Sequence, residues 1–267
     1  MTAPDLPESN AVRAIAAHVR DATRILVFTG AGVSTASGIP DFRGPQGVWK
    51  KRQPVLYPDF LSSEAARTEY WDTKLEGFAA FRDATPNATH EALARLEHAG
   101  KLAGLITQNI DGLHLRAGTS RDRLVEIHGS NGEVECQGCG RREDPAPWFE
   151  EFARTRRGPR CPECAGLWKP ATISFGQSLR ATDLERAARF AERCDLVVSL
   201  GSTLSVHPAA SFPLAAAHRG IPYVIVNRGP TDQDSDPSVT LRVEGDVTVI
   251  VPAAVDLALE ADPPAGS

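Results

Sequence analysis

Apolar residues recur at helical spacing in AVRAIAAHVRDA (11–22), which predicts a helix. The run that follows, RILVFTG (24–30), is short and mostly apolar, reads as a strand, and stops at Gly30. Residues 40–60 are rich in proline, glycine and basic residues and read as irregular. Helical patterning returns at 62–84 and, with a clear amphipathic face, at 87–102, where His90 falls on the face or in the first turn. LAGLITQN (102–109) and LVEIHGS (124–130) are a second and third strand, and KPATISFGQ (169–177) is a fourth. A helix over 181–194 leads to a fifth strand at 195–204. A helix over 207–220, with Pro208 in its first turn, leads to a sixth at 222–229. Residues 241–259 close with a strand and a terminal helix, and the tail EADPPAGS is expected to fray.

Apolar strands alternating with helices predict an α/β fold, a parallel sheet with helices on both faces. Glycine-rich or polar clusters follow strands one, two, three, five and six. Ligands of such sheets bind at the carboxyl ends of the strands, so these clusters are candidates for one shared site. There is no internal repeat and no low-complexity segment.

Composition adds exclusions. The chain has 267 residues, 42% hydrophobic and 24% charged, enough for one large domain with a small insert. A net charge of −5 gives no electrostatic case for nucleic acid as the main partner. MTAPDLPESN has neither a basic start nor an apolar core, so it does not read as a signal peptide, and no apolar run is long enough to span a membrane. A soluble, cytoplasmic protein is expected, monomeric by default.

The segment 133–168 differs from the rest. It is poor in aliphatic residues and is expected to bury hardly any core of its own. It carries Cys136-x-x-Cys139 and Cys161-x-x-Cys164, separated by 21 residues. Each CxxC lets one turn present two thiolates, and two such turns close a tetrahedral zinc site with no open position for water. One structural zinc is therefore expected; two disulfides or a redox pair are the alternatives. Cys194 reads as a small buried apolar residue.

Gly30-Ala31-Gly32 lets the backbone approach a pyrophosphate, although tight strand-to-helix turns need glycine for their own reasons. Thr35 stands where a third glycine would complete the dinucleotide fingerprint, and no acidic residue follows where a dehydrogenase holds its ribose. Both departures count against an ordinary dehydrogenase. SGIPDFRG (37–44) cannot easily continue a helix and is expected to form a loop over whatever the glycines hold. Gln108, Asn109 and Asp111 stand beyond a strand end, where they serve turn geometry or grip a ribose or carboxamide. His128 ends a neighbouring strand, as a structural or a catalytic residue, whereas His98 and His218 read as solvent-facing.

GAGVSTASGIPDFRG, TQNIDGLH, IHGS, two CxxC pairs, FGQ, LGSTLSVHP and VNRGPT occur in that order. From about Ile25 to Val251 the chain resembles the sirtuins, NAD-dependent protein lysine deacylases. The resemblance implies a Rossmann-like NAD-binding domain (11–45, 87–132 and 169–260) and a small domain made of a helical insert (46–86) and the four-cysteine module (133–168). NAD and an acylated lysine would enter the cleft between them from opposite sides. The resemblance assigns Gly30, Ala31, Gly32 and Thr35 to NAD, with Ala31 and Gly32 along its phosphates. Asp41, Phe42 and Arg43 belong to a flexible cofactor loop, and Phe42 is near the nicotinamide. Gln108, Asn109, Ile110 and Asp111 border the nicotinamide and ribose pocket. Gly201, Ser202, Thr203, Asn227 and Arg228 face the adenosine half, and Asp246 and Val247 lie near adenine. His128 and Asn109 are the implied catalytic residues. Phe175, Gly176 and Val206 would receive the substrate, a peptide adding as a strand between SFGQ and STLSV.

The implied reaction has the acyl oxygen attack the anomeric carbon as nicotinamide leaves. His128 then takes the proton of a ribose hydroxyl, and water releases free lysine and O-acyl-ADP-ribose. Some features depart from the family pattern. Gln177 stands for the usual Glu, and Gly-Ser-Thr reorders Gly-Thr-Ser. Thr73 stands where desuccinylating members carry the arginine of a Tyr-x-x-Arg pair begun here by Tyr70, so no cation is expected for an acidic acyl group. GPQGVW resembles a nuclear, chromatin-acting branch, while the rest is bacterial-like, which leaves subclass open. NAD-dependent mono-ADP-ribosyl transfer and a non-catalytic zinc-module binding protein are the alternative functions; intact His128, Asn109 and Asp111 count against the latter.

Overall fold

The computed structural model of the chain describes residues 8–41 and 53–260. Its strands are β1 (Ile25–Thr29), β2 (Leu102–Thr107), β3 (Leu124–Glu126), β4 (Gly129–Cys136), β5 (Arg142–Glu143), β6 (Trp168–Thr172), β7 (Leu196–Leu200), β8 (Tyr223–Asn227) and β9 (Leu241–Glu244). The α-helices are α1 (Glu8–Asp21), α2 (Tyr57–Ser62), α3 (Glu64–Asp83), α4 (Ala88–His98), α5 (Leu113–Arg116), α6 (Ala146–Thr155), α7 (Ala181–Arg193), α8 (Ser211–Ala217) and α9 (Val247–Leu259).

Six strands form one parallel sheet in the order β3-β2-β1-β7-β8-β9. Numbered within the sheet, this is 3-2-1-4-5-6, the doubly wound order whose direction reverses beside the first strand. The sequence of β1 shows why both faces are covered. Ile25 and Val27 point into the core shared with α1, α4 and α9, while Leu26 and Phe28 point into the core shared with α7 and α8. All five β1 residues are buried, which requires near-continuous apolarity in place of alternation.

The second sheet is antiparallel, in the order β5-β4-β6. Here the expectation of a fourth parallel strand is corrected: β6 pairs with β4 and not with the large sheet. The third expected strand also divides. β3 ends at Glu126, and β4 begins at Gly129 in the other sheet, so His128 lies where the chain crosses between them. At Gly129 the backbone has φ 73°, and a Cβ there would stand 2.1 Å from the Ala171 carbonyl oxygen, so only glycine allows β4 and β6 to meet at this point.

The cysteine segment does share a core. Phe149 and Phe152 of α6, with Val134 and Trp168, pack against Phe60, Tyr70 and Trp71 of the insert helices. Trp71 meets Phe149 edge-on at 5.1 Å and stacks with Phe152 at 5.7 Å. A count of aliphatic residues undervalues such a cluster, because a few large rings bury as much area as many small side chains. Two local expectations also shift: α2 begins within the stretch read as irregular, and α8 starts at Ser211, three residues after Pro208.

Candidate active site

The two glycine turns at the ends of β1 and β7 interlock. Gly30 N–H donates to Leu200 O at 3.0 Å and Gly32 N–H to Gly201 O at 2.9 Å. A Cβ on Gly30 would lie 2.7 Å from Gly201 O, and one on Gly201 would lie 2.7 Å from Val33 N. These glycines are therefore needed first for the mutual approach of two backbones. After them come two single-turn 3₁₀ helices, Ala31–Val33 and Thr35–Ser37, ended by Gly38 at φ 82°. No long helix follows the glycines, as the proline and glycine of SGIPDFRG predict.

Behind this turn a polar clamp fixes the loop after β2. The Asn109 amide donates to Gly30 O at 3.1 Å and to Ser34 Oγ at 3.0 Å. Ser34 Oγ in turn donates to Asp111 Oδ2 at 2.7 Å, and Asp111 Oδ1 receives Leu113 N–H at 2.9 Å. Asp111 thus serves the wall from behind, whereas the resemblance set it at the border of the pocket. Burial raises its pKa above the ordinary carboxylate value despite these bonds. Glu126 stands near it; burial first, then the Asp111 charge, pushes Glu126 up to about 7.

His128 is held from two sides. Its carbonyl oxygen accepts Ile173 N–H at 2.7 Å, and its Nδ1 lies 3.2 Å from Gln108 O. A carbonyl oxygen only accepts, so Nδ1 carries the hydrogen and Nε2 keeps its lone pair. Burial lowers the ring's pKa, partly offset by the Gln108 carbonyl, and so favours the neutral form. A neutral imidazole with one nitrogen anchored and the other open is what a general base requires.

His128 lines a cleft of about 1790 Å³ at the carboxyl edge of the parallel sheet. The same cleft is lined by Gly30, Ala31, Gly32, Thr35, Asp41, Gln108, Asn109 and Ile110. Gly201, Ser202, Thr203, Asn227, Arg228, Asp246 and Val247 line it further along, and Phe175, Gly176 and Val206 line it as well. Phe42 and Arg43 fall outside the described residues. Gln108 Nε2 donates to Ser202 Oγ at 2.8 Å, tying the second strand end to the fifth expected strand. Arg228 and Asp246 pair at 2.7 Å, and Asp246 also caps α9 through Thr248 N–H. Gln177 closes its own turn: its Oε1 accepts Ser174 N–H at 3.1 Å, which a carboxylate oxygen would do equally.

Thr73 itself supplies no cation, but Lys74, one residue beyond it, lines the same cleft. Its Nζ lies 5.7 Å from the Tyr70 ring centroid and 3.3 Å from Asn131 Oδ1. Lys169 stands on the same ring at 5.5 Å, fully buried, with its Nζ donating to the carbonyls of Pro170 and Thr172. Burial pushes Lys74 down to about 8; burial and the Lys74 charge push Lys169 down to about 7. Neither lysine stood in a recognised pattern. The only sequence signal for Lys74 was its place four positions after Tyr70, one helical turn along α3.

The four cysteine sulfurs lie within 4.8 Å of one another, Cys136 and Cys164 at 3.5 Å and Cys139 and Cys161 at 3.9 Å. A disulfide needs about 2.05 Å, so no cystine is formed. Zn–S bonds near 2.3 Å in a tetrahedron space sulfurs by roughly 3.8 Å, and the residues fit that metal. Gly138 N–H donates to Cys136 Sγ at 3.4 Å, and a Cβ on Gly166 would press to 2.8 Å from the same sulfur.

The model of the Sir2 family matches residues 30–208. An NAD-dependent protein deacetylase of Rhodopseudomonas palustris is 42% identical over 91% of this chain and 95% of its own length. A solved Sir2 with a p53 peptide and NAD+ superposes with a TM-score of 0.82 at 32% identity, covering 92% of this chain and 97% of its own. A Sir2 variant solved with a deacetylated p53 peptide and 3′-O-acetyl ADP-ribose gives a TM-score of 0.84 at 33% identity, with the same coverage.

Proposed function

The chain belongs to the Sir2 family, and from that premise we infer that it removes acyl groups, acetyl foremost, from protein lysines. It consumes NAD and yields nicotinamide and O-acyl-ADP-ribose. The observation that carries this reading is the neutral His128 ring, anchored on Gln108 O, in one cleft with the interlocked glycine turns. The naming of the relatives as deacetylases, and a similar structure holding acetyl ADP-ribose, favour deacylation over ADP-ribosyl transfer.

NAD supplies a glycosidic carbon activated by its nicotinamide. The chain's own groups do the rest. Gly30, Ala31 and Gly32 line the cleft and, with no side chain larger than a methyl, let the backbone lie close to a pyrophosphate. Asn109, pinned to Gly30 O and Ser34, and Ile110 present the wall for the nicotinamide ribose. His128 Nε2 takes the proton of a ribose hydroxyl and later returns it. Asn227, Arg228, Asp246 and Val247 receive the adenosine end, beside the α9 N-terminus. Phe175, Gly176 and Val206 hold the acyl-lysine and its peptide, laid as a strand between the segments after β6 and β7. One zinc per chain, on Cys136, Cys139, Cys161 and Cys164, fixes the small sheet and takes no part in the chemistry.

A cytoplasmic location fits the unpaired thiols, and among the described residues no helix is long and apolar enough to cross a membrane. The test is incubation with NAD and an acetyl-lysine peptide, followed by mass spectrometry. Equal amounts of free lysine peptide, nicotinamide and O-acetyl-ADP-ribose are expected. Nicotinamide release with the peptide left acetylated would overturn the reading.

A further inference from the structure

Two buried histidines behind the cleft are each left with one unpartnered nitrogen. His90 on α4 is 0% exposed and His114 on α5 is 1% exposed; their ring centroids lie 4.8 Å apart with planes at 56°. His90 Nε2 and His114 Nδ1 have no hydrogen-bond partner. Buried polar atoms are rarely left in this state, so each needs an explanation.

The bonds these rings do make fix the role of each orphan. Asn87 N–H donates to His90 Nδ1 at 3.3 Å, so the His90 hydrogen is on Nε2. The Thr29 hydroxyl donates to Thr107 Oγ1 at 2.8 Å. With that hydrogen used, the 3.1 Å contact of Thr29 Oγ1 with His114 Nε2 requires Nε2 to donate, and Nδ1 keeps its lone pair. The orphans are therefore a donor and an acceptor in adjoining rings.

Each ring also anchors one wall of the cleft. The Asn87 side chain, on the residue that bonds His90, donates to Val33 O at 2.8 Å and to Ser37 Oγ at 2.9 Å, holding the loop after β1. His114, through Thr29, sets the Thr107 hydroxyl that receives Asn109 N–H at 3.0 Å. We propose that His114, acting through Thr29 and Thr107, is a positioning residue for Asn109, while His90 bonds the residue that holds the loop after β1. The proposal rests on the reading of the cleft as an NAD site.

No carboxylate acts on either ring. His90 feels burial alone, and His114 feels burial and His90. The strands β1 and β2 that pack against the pair carry no titratable residue. On α4, Glu91 and His98 are exposed, Glu97 accepts Ser120 N–H, and Arg95 pairs at the surface with Asp256 of α9. Arg116 of α5 is exposed, and Asp111 is turned to Ser34 and Leu113 N–H.

Ring ¹⁵N shifts of the full chain, recorded without NAD or peptide, read the two tautomers directly. Both rings are expected to stay neutral, with the hydrogen on Nε2, from pH 8 down to about pH 5. Titration of either ring near 6.5, or an Nδ1–H form of His114, overturns this assignment. His114→Phe removes the donor to Thr29, and His114→Gln restores one. The Phe variant is expected to lower kcat/KM for NAD by about tenfold or more with peptide KM unchanged, and the Gln variant to recover most of it. A folded, zinc-loaded Phe variant with unchanged kcat/KM for NAD, or a Gln variant as impaired as Phe, sinks the positioning role. Should His114→Phe not fold, Thr107→Val carries the kinetic test with the same expected loss, and an unchanged kcat/KM for NAD there is equally fatal. The ¹⁵N measurement needs no catalysis, so its failure is distinct from failure of the deacylase reading.

Discussion

Nδ1 of His128 lies 3.2 Å from the carbonyl oxygen of Gln108, and that contact decides which nitrogen of the ring is free to act. The carbonyl belongs to the residue just before Asn109, so the base and the ribose wall are positioned by the same loop. Replacing His128 by Ala should cost about 10²–10⁴ in deacylation rate, the range of one general base, while NAD still binds. Titration calorimetry for NAD alongside single-turnover rates separates the two.

The pH profile follows from the same burial. The base works as neutral imidazole, and burial lowers its pKa from the ordinary histidine value of about 6.5. The acid limb of kcat/KM should therefore fall below pH 6.5, with activity retained on its alkaline side. A limb above that value would mean that another group controls the profile.

Stability should also fall with acid. His90 is pushed down to about 4 by burial, and His114 is lowered in the same direction. In the unfolded chain both titrate near 6.5, so between pH 6.5 and about 4 the unfolded state binds more protons and stability declines as pH falls. For His90 alone this amounts to about 3 kcal/mol. Denaturant unfolding of the zinc-saturated protein at several pH values measures the slope, and His90→Gln should flatten it.

Gly201 sits at φ 59° with no room for a Cβ against Val33 N. Gly201→Ala should destabilise by about 1–3 kcal/mol and raise KM for NAD, because the displaced neighbour is the phosphate turn itself. Thermal melting and NAD kinetics on the one variant check both effects together.

Cys161 is 2% exposed and Cys164 is exposed, yet both sulfurs belong to one cluster. Cys161→Ser should lose stoichiometric zinc and melt lower by more than about 10 °C, since the metal closes a segment with little core beyond its aromatic cluster. Metal analysis of the wild-type chain should return one zinc.

Lys74 bears on acyl preference. Its charge is shed as pH rises through about 8. An acyl chain ending in a carboxylate should thus be removed relatively better below pH 8 than above it. The ratio of succinyl to acetyl turnover should drop in Lys74→Ala.

Much of this was readable from the residues. Strand character at 25–29, 102–107, 196–200 and 223–227 follows from nearly continuous apolar runs, because a strand buried on both faces leaves few polar positions. The cysteine spacing was equally legible, since two CxxC turns restrict the sulfurs to a metal-sized group. Sequence order also placed polar or glycine-rich clusters after strands one, two, three, five and six, and hence at one edge of the sheet.

Other features depend on contacts between distant segments. Gly30 and Gly201 are 171 positions apart, and only the parallel pairing of β1 with β7 shows that they make room for each other. Lys74 and Lys169 share the Tyr70 ring because α3 packs over β6, an adjacency that no local pattern encodes. Asp111, a pocket residue by resemblance, became a brace once Ser34 was placed 2.7 Å from it. Periodicity and ligand spacing are properties of neighbouring residues, so the sequence alone determined strands, helices and the metal group. Tautomer, burial and the partner of each polar atom are set by whichever segments fold against them, and only the tertiary structure decided those.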